Sequence, residues 1–455
     1  MIIEAKYKHS IYLIISLLLV RFITFFYFKI SIDEKWLFGL WQHIGKEYLE
    51  NNFFESILFF HAQPPVWNFI LGIGVKISNI LSLNVYVSLI NFICTLLILH
   101  SSHHLLKIFR FNRNLIYLIL LFFIILSPSI LFYENFPSYA HFTCALLFLI
   151  KLNFLKILKK FKLKYELQIY FYACLLILSW SAYVIYFNIL IFLLLIPLSI
   201  QKKRFIKSLS IFLLFFIIGL SPSIKNKIMF DVFANSSWTG LNAAQATGYD
   251  RQKWPLCSFN KDNLEKYNND YKNLLSNKDY LNKKILNDKS YNDLGYIFKS
   301  VKCKKKSKEY LFLNFNEITK QKVKRFFSVH AHLSFDFSFK PNHWKDSFAI
   351  LEKLNQDNLF KIVVLLFFIT NYTFYLFTVT MSLYKRDKNF LKNFLIINFI
   401  LYSYLLFVSF YGSTWEQERM RYTGYSFIFI SVSLIIQKFL PTMMKFLAVR
   451  YQNKW

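Results

Sequence analysis

Two neighbouring carboxylates, Asp33 and Glu34, stand directly after a long apolar block, and His61-Ala62-Gln63-Pro64-Pro65 closes the polar stretch that they open. A further acid, Glu134, lies in the short polar break Tyr133-Glu134-Asn135-Phe136-Pro137-Ser138-Tyr139. Trp415-Glu416-Gln417-Glu418-Arg419-Met420-Arg421-Tyr422 opens the last apolar block. A carboxylate beside apolar surroundings is a candidate for proton transfer, because poor hydration favours its protonated form. Arginine suits phosphate, which it grips through paired, charge-assisted donors. Together these are the parts of a group-transfer site.

Each feature also has a plainer reading. Asp33 can simply complement a helix N-terminus, and His61 can be an interfacial histidine before a helix that starts at the prolines. Glu134 can be a solvated loop acid, although an ionisable residue at membrane depth is functional by default. Glu416, Glu418, Arg419 and Arg421 can pair among themselves.

The elements that would position these residues are membrane spans. The chain has 455 residues, is 55% hydrophobic and has a mean hydropathy of +0.35. A span needs roughly 20 apolar residues as a helix. Blocks of that kind fall near 10–30, 84–105, 113–133, 138–156, 168–200, 205–222, 358–383, 391–411 and 424–441. The block 168–200 is roughly 50 Å long as helix, too long for one span, so it divides into two and ten spans are expected. The formal net charge of +30 would suggest nucleic acid in a soluble chain; here the basic residues flank apolar blocks and carry topology instead. No small-residue cleavage site follows the first block, so no cleavable leader is expected.

Short basic connections belong in the cytoplasm. That rule puts the N-terminus, 106–113, 151–164, 202–204, 384–392 and the C-terminus inside, and 31–83, 133–138, 223–357 and 412–423 outside. Parity then requires 64–80, interrupted by Gly72 and Gly74, to be a re-entrant or outer-leaflet helix. Ser31-Ile32-Asp33-Glu34 fits a capping box, and Trp36, Leu37, Leu40, Trp41 and Ile44 recur at helical spacing, with Lys35, Gln42, His43 and Lys46 opposite. The pattern predicts an amphipathic helix on the membrane surface with Asp33 on its apolar side.

The fold class expected is therefore an all-α polytopic membrane protein in three parts. Residues 1–222 form an N-terminal transmembrane module with the loop 31–83, 223–357 an extracytoplasmic, mostly helical segment, and 358–455 the C-terminal spans. The outer segment carries Arg251 near its start and His330, His332 and His343 near its end. Cys257 and Cys303 lie within it and would form one disulfide in an oxidising compartment, whereas Cys94, Cys144 and Cys174 read as small core residues. No Cys or His spacing matches a zinc site.

In this order the features resemble the GT-C fold of membrane glycosyltransferases, closest to the branch of the protein O-mannosyltransferases and the lipid A aminoarabinose transferase. That branch has an Asp-Glu pair after its first span, matched by Asp33-Glu34, and a second acid in the next outer hairpin, matched by Glu134. Its His-Pro-Pro element is matched by His61 to Pro65 with two residues inserted, and an arginine-bearing outer element near the last spans by Glu418-Arg419-Met420-Arg421. The resemblance covers the first 150 residues and thereafter only topology. It implies an enzyme in a bacterial cell membrane that transfers a sugar from a polyprenyl-phosphate donor to a lipid, glycan or protein hydroxyl, with inversion. On that reading Asp33 is the general base and Glu34 its catalytic neighbour. Glu134 positions the acceptor or a metal, Arg419 or Arg421 clamps the phosphate, and His61, Arg251, His343 and Glu418 bind substrate. Some members use a divalent metal and others none. A lipid or oligosaccharide transporter and a surface-polysaccharide polymerase or ligase are the competing readings.

Overall fold

A computed structural model describes residues 2–32, 34–39, 43–248, 255–258, 261, 263–275, 278–287, 292–330, 357–384, 390–411 and 422–437. In chain order its helices begin with α1 (Ile2–Phe26), α2 (Glu34–Gly39), α3 (Lys46–Asn51), α4 (Phe53–Phe59), α5 (Val66–Lys76) and α6 (Leu83–Ile108). There follow α7 (Arg113–Leu120), a π-helical turn (Leu121–Ile125), α8 (Pro128–Asn135), α9 (Ala140–Lys159), α10 (Leu163–Ser179), α11 (Tyr186–Gln201) and α12 (Phe205–Phe230). The polar segment holds α13 (Thr239–Thr247), α14 (Leu264–Leu274), α15 (Leu294–Leu313) and α16 (Phe315–His330). The chain continues with α17 (Asn358–Tyr384), α18 (Phe390–Tyr411) and α19 (Tyr425–Gln437).

The chain is an all-α, multi-pass membrane protein. Among the described residues four helices are long and apolar enough to cross a membrane, and a fifth crossing exists if the bent stretch from Arg113 to Asn135 counts as one. Each apolar block of the sequence is helical, and 168–200 divides into α10 and α11 as its length requires. The amphipathic helix expected from Glu34 to Ile44 is shorter: α2 is described over Glu34–Gly39, residues 43–45 are not helical, and a new helix starts after Gly45.

Burial separates a central span from peripheral ones. The apolar stretch of α9 is 78% buried, that of α12 only 22%. Outward-facing α12 side chains such as Leu214, Ile217 and Ile228 form an apolar surface that lipid must cover. Lys151, read above as part of a cytoplasmic basic run, instead lies midway along α9. It is 1% exposed, and its ammonium has no hydrogen-bond partner among the described residues. Its Nζ lies 6.0 Å from the centroid of the Phe427 ring.

One span is broken. Pro128 cannot continue the i→i−4 ladder, since it has no N–H and its ring crowds the preceding turn. The helix loosens into the π turn at Leu121–Ile125, and α8 restarts at a bend of 46°. Carbonyls freed inside a membrane need other donors. Tyr425 on α19 supplies one to Phe123 O at 2.7 Å, and Arg21 on α1 supplies another to Ile125 O at 2.9 Å.

The polar helices pack on one another and onto the end of α12. Cys257 and Cys303 are joined, tying the turn before α14 to α15. Tyr271 and Tyr280 donate to Phe230 O and Met229 O at 2.5 and 2.7 Å. Helices α13 and α15 meet backbone to backbone at Gly240, where an added Cβ would lie 1.8 Å from Ser300 O. Only glycine allows that approach. Gly240→Ala should therefore force the pair apart at a cost of about 1–3 kcal/mol or more. Thermal unfolding in detergent checks this: the expected result is a clearly lower midpoint, and an unchanged midpoint would mean that the contact is not close.

Candidate functional site

The densest polar cluster forms where α1, α6, α8 and α9 meet the start of the last described stretch. Glu134, expected in a hairpin loop, lies in the last turn of α8 with its side chain turned inward, and it is 6% exposed. Arg21 grips it side-on: Nε donates to Oε1 at 2.9 Å and Nη2 to Oε2 at 2.7 Å. Asn91 donates to the Glu134 carbonyl at 2.8 Å.

A directed hydrogen-bond chain ends on the same carboxylate. Thr95 Oγ1 donates to Glu134 Oε2 at 2.6 Å and also meets His141 Nε2 at 2.9 Å. The Thr95 proton goes to the carboxylate, so His141 Nε2–H must be the donor to Thr95. His141 Nδ1 is then an acceptor, and Tyr422 Oη–H donates to it at 2.5 Å. Protons thus point from Tyr422 through His141 and Thr95 to Glu134, with Arg21 balancing the charge. Such a chain can hold a tyrosine in one orientation, or pass a proton along its length. The Tyr422 ring also stacks on Tyr133 with centroids 3.9 Å apart.

The loop after α1 is held by its own polar contacts. Glu34 accepts from Lys46 Nζ at 2.7 Å, which ties α2 to α3. His43, assigned above to the polar side of a surface helix, is buried instead. Its Nδ1–H donates to Leu37 O and its Nε2 accepts from Trp67 Nε1 at 3.1 Å, so the imidazole staples α2 onto α5. An open groove of about 600 Å³ between α4 and α5 is lined by Phe53, Phe54, Ile73 and Ile77, with Lys76 and Asn51 at its margin.

His61, expected at the outer surface, is fully buried. Its Nε2–H donates to Asn292 O at 2.7 Å, Ser237 donates to Nδ1 at 2.6 Å, and its backbone N–H meets Asn292 Oδ1 at 2.9 Å. Burial, aided by the nearby Lys225 charge and opposed by the Asn292 carbonyl, pushes the imidazole pKa down to about 3. His61 therefore stays neutral and latches the loop 31–83 to the polar helices. Ser236, which donates to Ala62 O, and the ion pairs Lys283–Glu55 at 2.8 Å and Lys284–Glu47 at 2.7 Å extend the latch.

Asp33, Arg251, His343, Glu418, Arg419 and Arg421 lie outside the described residues. Of their chain neighbours, those of Asp33 are described, Ile32 being buried and Glu34 paired with Lys46, and Tyr422, next to Arg421, starts the hydrogen-bond chain. Among the described residues no three His, Cys, Asp or Glu side chains gather as a metal site. The Glu134 oxygens are already engaged by Arg21 and Thr95, so the described residues do not fit a divalent metal and no step below runs through one. Thr95 and His141 were not singled out from the sequence, Tyr422 entered only as the end of the run from Trp415, and Lys151 only within a basic connection. One signal was available: Glu134 is the only carboxylate between Glu55 and Glu166, so it is the obvious partner for an arginine inside the first span.

Removing one member of a buried ion pair leaves an uncompensated charge and costs ~3–5 kcal/mol, whereas removing both costs less. Arg21→Met and Glu134→Gln should each lower the thermal midpoint in detergent, and the double variant should recover part of the loss. Additive losses in the double variant would mean that the two side chains do not act as a pair.

Compared with known proteins, the chain matches no family model and no curated protein.

Proposed function

We propose that this protein is a membrane glycosyltransferase. It moves a sugar from a polyprenyl-phosphate donor to a hydroxyl acceptor on the outer face of the membrane. The observation that carries the reading is the fastening of the polar parts: side-chain contacts tie the loop after α1 to the disulfide-bonded polar helices, and Trp67 of that loop packs against Phe142, the residue after His141, with ring centroids 6.3 Å apart. The donor's phosphate lies at the lipid–water boundary, so its enzyme needs such an assembly at one membrane face.

In this reading the chain crosses the membrane ten times, with the N-terminus inside and 223–357 outside. The joined cysteines support that side for the polar helices, because disulfides persist in oxidising compartments. The acceptor oxygen attacks the anomeric carbon, its proton passes to Asp33, and the bond from that carbon to the phosphate oxygen breaks, releasing lipid phosphate with inversion. Glu134 organises rather than reacts: with both oxygens engaged, it fixes Arg21 and, through Thr95 and His141, Tyr422. Arg419 or Arg421, close to Tyr422 in the chain, binds the leaving phosphate.

Two observations favour a second reading, a transporter of lipid or oligosaccharide. Lys151 is an ionisable group buried midway along a candidate span, and the stretch from Arg113 to Asn135 is a broken helix. A transfer assay separates the two. Purified protein in vesicles is given a polyprenyl-phosphate sugar and a membrane extract as acceptor source, and Asp33→Asn is run beside it. Transfer by the native chain and its loss of at least about 100-fold in a stably folded Asp33→Asn are expected. Movement of the lipid-linked sugar across the bilayer without any transfer product would favour the transporter, and full transfer by Asp33→Asn would remove the base assignment.

A further inference from the structure

The opposite end of α6 holds a group of side chains that the reaction above does not use. His100, His103 and His104 sit at i, i+3 and i+4, with ring centroids 4.5 Å apart for His100–His104 and 6.0 Å for His103–His104. His100 is exposed and the other two are half-buried. The charged groups bearing on these rings are Lys107 of the same helix and Lys156 of α9, both cationic. None of the three imidazoles has a carboxylate or hydrogen-bond partner among the described residues. The imidazoles offer N–H donors and the two lysines positive charge, a set that suits an anion.

The same face of α6 continues toward the other end as an apolar stripe. Val85, Leu89 and Ile93 are 52%, 49% and 44% exposed and follow one another at i, i+4 and i+8, in line with His100, His104 and Lys107. Ile93 lies about 10 Å along the axis from His100, within the ~15 Å depth of one leaflet. Aliphatic surface at acyl depth and cations at headgroup depth are thus aligned on one helix face. A free anion would have no use for the stripe.

We propose that this face of α6 binds an anionic phospholipid, its acyl chain along Ile93 toward Leu89 and its phosphate held by the imidazole cluster with Lys107 and Lys156. The site lies in the leaflet at the C-terminal ends of α6 and α9, away from the Arg21–Glu134 network. It does not depend on the glycosyltransferase reading.

The test is competitive lipid retention by the full-length protein in detergent, read by native mass spectrometry. Phosphatidylglycerol is offered against phosphatidylcholine of identical acyl chains, and inorganic phosphate is added in a separate arm. The native chain should retain phosphatidylglycerol with about tenfold or greater preference, phosphate should not displace it, and Lys107→Gln with Lys156→Gln should lose the preference. Should that double variant not fold, H100L/H103L/H104L, which removes the N–H donors, is the substitute and should weaken retention in the same sense. Equal retention of the two lipids by the native chain, or an undiminished preference in a folded variant, overturns the proposal. Displacement of phosphatidylglycerol by inorganic phosphate also overturns it, since the site would then be one for free anions.

Discussion

The guanidinium of Arg21 performs two tasks at once. It neutralises Glu134 and it supplies a donor to Ile125 O, freed where the broken span bends. A bent span in lipid is tolerable only when its orphaned carbonyls find partners. Without the bend, the last turn of α8 would not carry Glu134 inward and the chain through Thr95, His141 and Tyr422 would lack its terminal acceptor. The first helix, the broken span, the central span and the residue that follows Arg421 therefore share one electrostatic knot.

Around that knot the polar parts are fastened rather than draped. The latch at His61 consists of neutral hydrogen bonds between fully buried groups, which cost desolvation when left unmade and so hold their register. Its exposed ion pairs, Lys283–Glu55 and Lys284–Glu47, are screened and add little. His61 thus acts on the geometry of the loop 31–83, with no free ring nitrogen for a substrate. This departs from the role that the family resemblance implies.

Much of the fold was legible in the sequence because apolar blocks of span length leave few choices. The helices, their order and the division of 168–200 into α10 and α11 all follow from length and composition. The local ends were less legible. The apolar spacing from Trp36 to Ile44 reads as one helix, yet His43 and Ile44 are outside any helix, and His43 gains more by bridging Leu37 O and Trp67 than by facing water. Lys151 looked cytoplasmic by its place in a basic run, and only packing reveals that α9 carries it inside. Pairings such as His141 with Thr95 and Tyr422 depend on which helix faces which, and that is not a property of any single stretch of chain.

The proposed function requires the disulfide-bonded helices and the loop 31–83, which the latch holds together, to lie on the outer side, opposite the basic turns between spans. Single cysteines at exposed positions test this directly. Lys305→Cys lies on α15 and Lys160→Cys in the turn after α9. In right-side-out vesicles, a membrane-impermeant maleimide should label Lys305→Cys and spare Lys160→Cys until the membrane is opened. Labelling of Lys160→Cys in sealed vesicles with protection of Lys305→Cys would invert the topology and remove the outer-face site.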